Sequence, residues 1–176
     1  MILVRWLEPG IEDDLTLVPA VTDVVNRAYA AAEAALFSRS IHRTDAEEVA
    51  ASIARGETAA AFLDGGLVGS VRARALDPAT GWFGALGVDP DLQGRGFGAA
   101  LVGFVEDDAI AAGRTVMQLE VFQPEPETPH GTRLRTWYER RGYRETSRVA
   151  LAEVFPEDAA VLAVAGCDIV TMRKPL

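Results

Sequence analysis

The sequence has a single cysteine, no excess of basic charge and no long apolar run, and each absence argues against a class of protein. Cys167 stands alone among 176 residues, so it cannot form an internal disulfide, and a reducing, cytoplasmic setting is the simplest prediction. The formal net charge is −9. The phosphate backbone repels an acidic domain, so we expect no nucleic-acid partner. No run of about 18 apolar residues occurs, so we expect no membrane span.

The remaining composition is that of a globular protein, with 49% hydrophobic and 24% charged residues. A chain of this length can bury a full core as one domain. No internal repeat or linker divides the sequence, and its first residues lack the basic and apolar segments of a secretory leader. We therefore expect a single domain spanning residues 1–176.

The hydrophobic period changes along the chain from helical to strand-like and back, which predicts an α+β fold. Two helices come early, and Thr44 with Glu47 fits a capping box at the start of the second. Strands at 58–63, 67–76 and 82–88 are joined by short turns, which is typical of an antiparallel meander. The other predicted elements are a strand at 2–7, a loop at 37–43, a helix ending at Gly113, a strand at 115–122, a loop at 123–131, a helix at 132–141, a strand from Tyr143, a helical turn after Pro156 and a strand ending at Met172.

Three alternating glycines, Gly94, Gly96 and Gly98, follow the meander and lead into a helix. Glycine lets a ligand approach the backbone, and the first amides of a helix have no intrahelical partner. This loop can therefore bind a phosphate or pyrophosphate. Its spacing differs from the G-x-G-x-x-G of dinucleotide-binding folds, and it lacks the Gly-Lys-Ser/Thr of a P-loop. A glycine-rich turn without a ligand is the alternative.

The surroundings of the glycines resemble the GNAT N-acetyltransferase superfamily. Gln93-Gly94-Arg95-Gly96-Phe97-Gly98 is similar to the family motif Gln/Arg-x-x-Gly-x-Gly/Ala, and Leu86-Gly87-Val88-Asp89-Pro90 is similar to the strand and turn before it. Some 40 residues later, Trp137-Tyr138-Glu139-Arg140-Arg141-Gly142-Tyr143 resembles the second family motif, and residues 172–176 resemble the end of its last strand. The resemblance implies a mixed, mostly antiparallel sheet of about six to seven strands, splayed between the fourth and fifth, with about four flanking helices.

The resemblance also implies a donor, most often acetyl-coenzyme A, and no metal. In the family, amides of the glycine loop hold the pyrophosphate, and Arg95 would add positive charge there. The strand before the loop pairs with the pantetheine arm through its exposed backbone, and the Val88 amide would stabilise the oxyanion of the reaction. The implied donor-binding residues are Leu86, Gly87, Val88, Gln93, Gly94, Arg95, Gly96, Phe97, Gly98 and Ala99.

Acyl transfer to an amine needs a base, a stabilised oxyanion and a proton for the departing thiolate. Tyr138 matches the family tyrosine that supplies this proton; the alternative is a core aromatic that only packs. The fourth predicted strand contains no carboxylate, so Glu120 on the next strand is the predicted base, with a solvated strand carboxylate as its alternative. His42 and His130 lie in predicted loops, where they could titrate or be ordinary surface histidines. Gly131 stands where the family often has asparagine.

Acceptor specificity in the family comes from the first two helices with their loop, and from the loop after the fifth strand. The implied acceptor-binding residues are Tyr29, Glu33, Phe37 and His42. Glu125 and Glu127 could attract a cationic amine.

We predict an N-acetyltransferase that moves an acetyl group from acetyl-coenzyme A to a small-molecule, peptide or protein amine, by direct attack in a ternary complex. A non-catalytic acyl-coenzyme A sensor and an acyltransferase acting on a hydroxyl are also consistent with the sequence, and homodimers are common in the family.

Overall fold

A seven-stranded mixed sheet with helices on both faces forms the body of the protein. The computed structural model describes residues 2–39 and 41–176, so Ser40, in the loop predicted at 37–43, lies outside the described residues. The strands are β1 (Ile2–Trp6), β2 (Thr58–Leu63), β3 (Gly66–Ala75), β4 (Thr80–Val88), β5 (Val116–Glu125), β6 (Arg144–Ala150) and β7 (Gly166–Pro175). The helices are α1 (Leu17–Ala32), α2 (Ala46–Ala54), α3 (Phe97–Ala111), α4 (Pro129–Arg140), and the single turns α5 (Leu151–Val154) and α6 (Pro156–Ala159).

The sheet has the order β1-β2-β3-β4-β5-β7-β6, and β4–β5 is its parallel pair. The other neighbours are antiparallel, so the predicted meander of β2, β3 and β4 is confirmed, as is the predicted α+β class. Helix α3 supplies the crossover that a parallel pair requires. The separation of β4 from β5, expected from the resemblance, is confirmed as well.

The predicted loop at 123–131 is wrong at both ends. Strand β5 continues through Pro124 to Glu125, because beyond Gln118 it is paired only with β7 and a residue without an N–H is tolerated there. Helix α4 already begins at Pro129, where the Thr128 hydroxyl accepts a hydrogen bond from the N–H of Gly131 at 3.1 Å. His130 therefore lies in the first turn of α4 and not in a loop.

The predicted capping box of α2 is displaced by one residue. Asp45 is the cap, and its carboxylate accepts a hydrogen bond from the N–H of Glu48 at 2.8 Å. The Thr44 hydroxyl instead donates to the Glu48 carboxylate at 3.1 Å. Aspartate ranks above threonine at helix N-caps, which accounts for the shift.

Alternate residues of the central strands pack on opposite faces of the sheet. Ala60 packs against α1 and α2 through Val21 and Ile53. Ala59 faces the larger cluster formed with α3 and α4, which includes Phe83. A third cluster joins the segment after α1 to α5 and β7. The boundary between β4 and β5 therefore lies between two packed helical layers, where both faces can contribute side chains.

Candidate functional site

The strands β4 and β5 separate after a short paired stretch and leave a gap in the sheet. Their pairs are Thr80 with Val116, Gly81 with Met117 and Trp82 with Gln118. Beyond these positions both strands continue without pairing to each other. Ala85 has a φ of 47°, and the register between β3 and β4 shifts beside it, so β4 carries a bulge. A bulge bends its strand, which turns β4 away from β5 at this point.

The backbone of β4 after the bulge faces the gap. The N–H of Asp89 donates to the carbonyl of Val68 on β3 at 2.9 Å. Successive N–H groups of a strand point to opposite sides, so the N–H of Val88 points towards the gap. On the other face, a Cβ at Gly87 would lie 2.9 Å from the Cα of Val25, so α1 packs directly on the backbone of β4.

The glycine loop offers open backbone at the end of β4. Gly94 and Gly96 have φ angles of 77° and 90°, the left-handed region that favours glycine, and no described atom lies within 4 Å of where their Cβ atoms would be. Gly96 caps α3, and its carbonyl accepts from the N–H of Ala100 at 2.9 Å. The amides of residues 97–99 are therefore without intrahelical partners. Arg95 is exposed beside them and forms no ion pair within the described chain.

An ion pair fixes the turn that opens this loop. The Arg27 guanidinium on α1 donates to the Asp89 carboxylate at 2.8 Å, and the other carboxylate oxygen accepts from the N–H of Asp91 at 3.0 Å. The bond from Arg27, and then that from Asp91, holds the pKa of the Asp89 carboxyl below its usual value. Helix α1 is thereby tied to the glycine loop.

Tyr138 lies on α4 and packs in the core cluster that covers β4. Its ring is 5% exposed and packs against Trp137, with ring centroids 4.8 Å apart, and against Phe83 at 6.1 Å. Its hydroxyl makes no hydrogen bond to any described residue. Burial, and then the neighbouring Tyr29, raises the pKa of Tyr138. The ring packs in the core and the protonated hydroxyl is left available to a ligand, so packing and proton donation are compatible.

Three of the four predicted acceptor residues converge on the α1 face of the gap. The Arg43 guanidinium lies over the ring of Tyr29 at 5.5 Å, and burial raises the pKa of Tyr29 to about 12. Glu33 accepts two hydrogen bonds from Arg43, at 2.6 and 3.0 Å. The Arg43 guanidinium also lies over the ring of Phe37 at 5.6 Å.

Arg43 lies at the centre of this group, although the sequence motifs did not identify it as a site residue. It also lies over Phe122 of β5 at 4.4 Å. The pKa of its partner Glu33 is raised, chiefly by burial, although the hydrogen bonds from Arg43 act to lower it. No spacing in the sequence indicates these contacts, because they join α1, the following loop and β5. His42, its predicted neighbour in the site, is exposed and makes no hydrogen bond, ion pair or ring contact to a described residue.

Glu120 lies at the edge of the gap on the same face as Phe122. Its carboxylate accepts a hydrogen bond from the indole N–H of Trp82 and another from the Gln118 amide at 2.7 Å. No cationic side chain among residues 2–39 and 41–176 pairs with it. Its charge is therefore held in place by neutral donors only.

The other predicted polar residues have simpler surroundings. Glu127 is paired with Arg135 at 2.7 Å, so its charge is already balanced, whereas Glu125 is exposed. Burial, and then Arg133, lowers the pKa of His130. Burial raises the pKa of Cys167 to about 11.

No group of three or more His, Cys, Asp and Glu side chains in residues 2–39 and 41–176 could hold a metal ion. No helix formed by these residues is long and apolar enough to cross a membrane.

Comparison with known proteins gives one family and many similar folds. The model of the acetyltransferase (GNAT) family matches residues 26–143. The PaiA N-acetyltransferase of Thermoplasma acidophilum, in complex with coenzyme A, superposes with a TM-score of 0.73 at 16% identity, over 100% of this chain and 99% of that one. An aminoglycoside 6′-N-acetyltransferase complexed with coenzyme A gives 0.72 at 15%, over 98% and 96%. A GNAT acetyltransferase of Elizabethkingia anophelis with acetyl-CoA bound gives 0.69 at 15%, over 99% and 98%. No curated protein sequence matches this one.

Proposed function

Because the chain belongs to the acetyltransferase (GNAT) family, we propose that it is an N-acetyltransferase that moves an acetyl group from acetyl-coenzyme A to an amine by direct attack in a ternary complex. One observation carries this proposal. The strands that separate after Trp82 carry Val88 on β4 and Glu120 on β5, and the ring of Tyr138, whose hydroxyl makes no hydrogen bond to a described residue, packs on Phe83 of β4. These groups are of the kinds that acyl transfer needs: a proton donor, an oxyanion partner and a base.

The residues of this chain fit the donor. The open space at Gly94 and Gly96 and the free amides at the start of α3 suit a pyrophosphate, with Arg95 beside them. The backbone of Leu86, Gly87 and Val88 is not paired with β5, and this free strand edge suits the amides of a pantetheine arm. Bound there, acetyl-coenzyme A would supply an activated thioester. The remaining donor contacts that we propose are Gly87, Val88, Gln93, Phe97, Gly98 and Ala99.

The side chains then divide the reaction between the two faces of the gap. Glu120 takes the proton of the attacking ammonium, directly or through water, because an alkylamine is mostly protonated at neutral pH. The Val88 N–H stabilises negative charge on the carbonyl oxygen. Tyr138 gives its proton to the departing thiolate. Its raised pKa means that the hydroxyl is protonated before this step. We propose that Tyr29, Glu33, Phe37 and His42 border the acceptor.

Calorimetry with acetyl-coenzyme A, followed by an assay of thiol release against a panel of amines, tests the proposal. We expect saturable binding of one donor molecule per chain and thiol release with at least one amine. Absence of binding at physiological donor concentrations would contradict the proposed function. Binding without release would favour the sensor, and release with hydroxyl compounds alone would favour the other acyltransferase.

A further inference from the structure

Four side chains form a row across the sheet at the point where β4 and β5 begin to separate. Arg74 of β3 is opposite Trp82 of β4, Trp82 is opposite Gln118 of β5, and Gln118 is opposite Arg173 of β7. Residues opposite one another in a sheet point to the same face. Glu120 lies two positions after Gln118, so the row borders the proposed base on this side of the gap, the acceptor face.

Both arginines of this row are held in place by side chains that also orient Glu120. The Arg173 Nε–H donates to the Gln118 amide oxygen at 2.8 Å, and the amide nitrogen of the same side chain donates to Glu120 at 2.7 Å. The Arg74 guanidinium lies over the Trp82 ring at 5.2 Å, and the indole N–H of Trp82 donates to the other Glu120 oxygen. Each of the two hydrogen-bond donors of the base therefore also positions a guanidinium group.

Neither arginine is bound by a carboxylate in the part of the chain that the structure describes. Arg74 and Arg173 are exposed and form no ion pair with any of residues 2–39 and 41–176. Asp77 interacts with Arg173 through space only, and its carboxylate accepts hydrogen bonds from the N–H groups of Ala79 and Thr80, both at 2.8 Å. The two terminal nitrogens of the Arg173 guanidinium are thus left for a ligand, and a carboxylate is the group that such a planar fork binds best.

The spacing between Arg173 and Glu120 suits a compact molecule that has both an amine and a carboxylate. One amide side chain links them, with a hydrogen bond of 2.8 Å at its oxygen and one of 2.7 Å at its nitrogen. The amide itself adds roughly 2 Å, so the Arg173 Nε and the bonded Glu120 oxygen are at most about 8 Å apart. An α- or β-amino acid fits this distance with one charge-assisted hydrogen bond of about 2.8 Å at each end.

We infer that the acceptor is an α- or β-amino acid. Its ammonium group lies at the Glu120 carboxylate, and its own carboxylate binds the terminal nitrogens of Arg173, with Arg74 attracting the same anion from the other end of the row. The amine nitrogen bonds to the acetyl carbon as the C–S bond of the thioester breaks. Of the two protons that the ammonium group loses, one ends on the thiol and one leaves through Glu120. This inference rests on the proposed function and adds the chemical class of the acceptor to it.

The test compares α- and β-amino acids with their primary amides in the thiol-release assay, at saturating acetyl-coenzyme A. The amide keeps the shape and the amine and loses the negative charge. For the wild type we expect the better amino acids to have a kcat/KM at least roughly tenfold above that of their amides, since the charged pair with Arg173 is lost in the amide. In Arg173→Gln this ratio should fall by roughly tenfold or more, mainly through a higher KM for the amino acid.

The ratio also separates recognition of the acceptor from orientation of the base. Arg173 holds Gln118, so its loss can slow every amine, but the amino acid and its amide depend on Glu120 equally. Arg173→Lys, which keeps the charge without the planar fork, should give an intermediate ratio. Arg5→Gln is the matched control, because Arg5 is an exposed strand arginine over the ring of Phe62 that also forms no ion pair within the described residues. It should keep the wild-type ratio.

Donor affinity, measured by calorimetry for every variant, distinguishes the possible failures. Turnover of the amides as fast as the amino acids by the wild type, release with simple amines but with no amino acid, or an unchanged ratio in Arg173→Gln overturns the amino acid inference alone. Absence of donor binding, or of thiol release with every amine, overturns the proposed function and this inference with it.

Discussion

The indole N–H of Trp82 on β4 donates to the carboxylate of Glu120 on β5, across the point where the two strands separate. Trp82 is the last residue of β4 that pairs with β5. Its partner Gln118 lies two positions before Glu120 and donates to the other carboxylate oxygen. The site of strand separation is thus also the site where an anionic group is oriented without being neutralised.

Glu120→Gln should lower kcat/KM for amines by roughly 10²-fold, because an amide keeps the shape but cannot accept a proton. Trp82→Phe should cost about tenfold, because it removes one of the two donors that orient the carboxylate. Glu125→Gln, on the same strand and also exposed, should be without effect. The measurement is thiol release at saturating acetyl-coenzyme A. Wild-type turnover in Glu120→Gln would show that the base is elsewhere.

Tyr138→Phe should lower turnover by roughly 10²-fold and leave the affinity for acetyl-coenzyme A nearly intact, because it removes a proton donor and keeps the packed ring. Unchanged turnover would mean that Tyr138 only packs.

Tyr143→Phe is the contrasting variant. The Tyr143 hydroxyl donates to the buried Glu106 carboxylate at 2.6 Å, so this change should reduce the free energy of unfolding by roughly 1–3 kcal/mol and spare the chemistry. Chemical denaturation of both variants, combined with the kinetic assay, distinguishes the two roles.

The meander, the glycine loop and the order of elements could be predicted because each leaves a local pattern in the sequence. The contacts of the acceptor face could not. Arg43 meets Glu33 and Phe122 only after α1, its following loop and β5 have packed together. Arg173 looks like any strand arginine until its link through Gln118 to Glu120 is seen. Sequence periodicity assigns a face of an element, and it does not show which side chains of three elements meet.

Gly96→Ala should weaken donor binding by roughly tenfold and lower Tm, whereas Gly98→Ala should change little. Alanine at the positive φ of Gly96 costs about 1–2 kcal/mol, or roughly 2–8 °C for a chain of this size. At Gly98 a Cβ would make ordinary contact with Val88 at 3.8 Å, and φ is not in the left-handed region. Calorimetry and thermal unfolding measure the two effects. Equal donor affinity in both variants would mean that the pyrophosphate does not bind at Gly96.

Asp89→Asn should make stability less dependent on pH in the acid range. The pKa of Asp89 is below its usual value because of Arg27, so the pair stabilises the fold above about pH 4, and this stabilisation is lost as the pH falls through the lowered pKa. Both side chains are partly exposed, so we expect only about 0.2–1 kcal/mol at neutral pH. Asparagine at position 89 can still accept the hydrogen bond from the N–H of Asp91.

Thermal unfolding from neutral to acid pH should show the Tm values of the wild type and the Asp89→Asn variant converging. Asp91→Asn is the control: it breaks no ion pair within the described residues, so its Tm should follow that of the wild type. A difference that persists in acid would assign the effect to the cap and not to the ion pair.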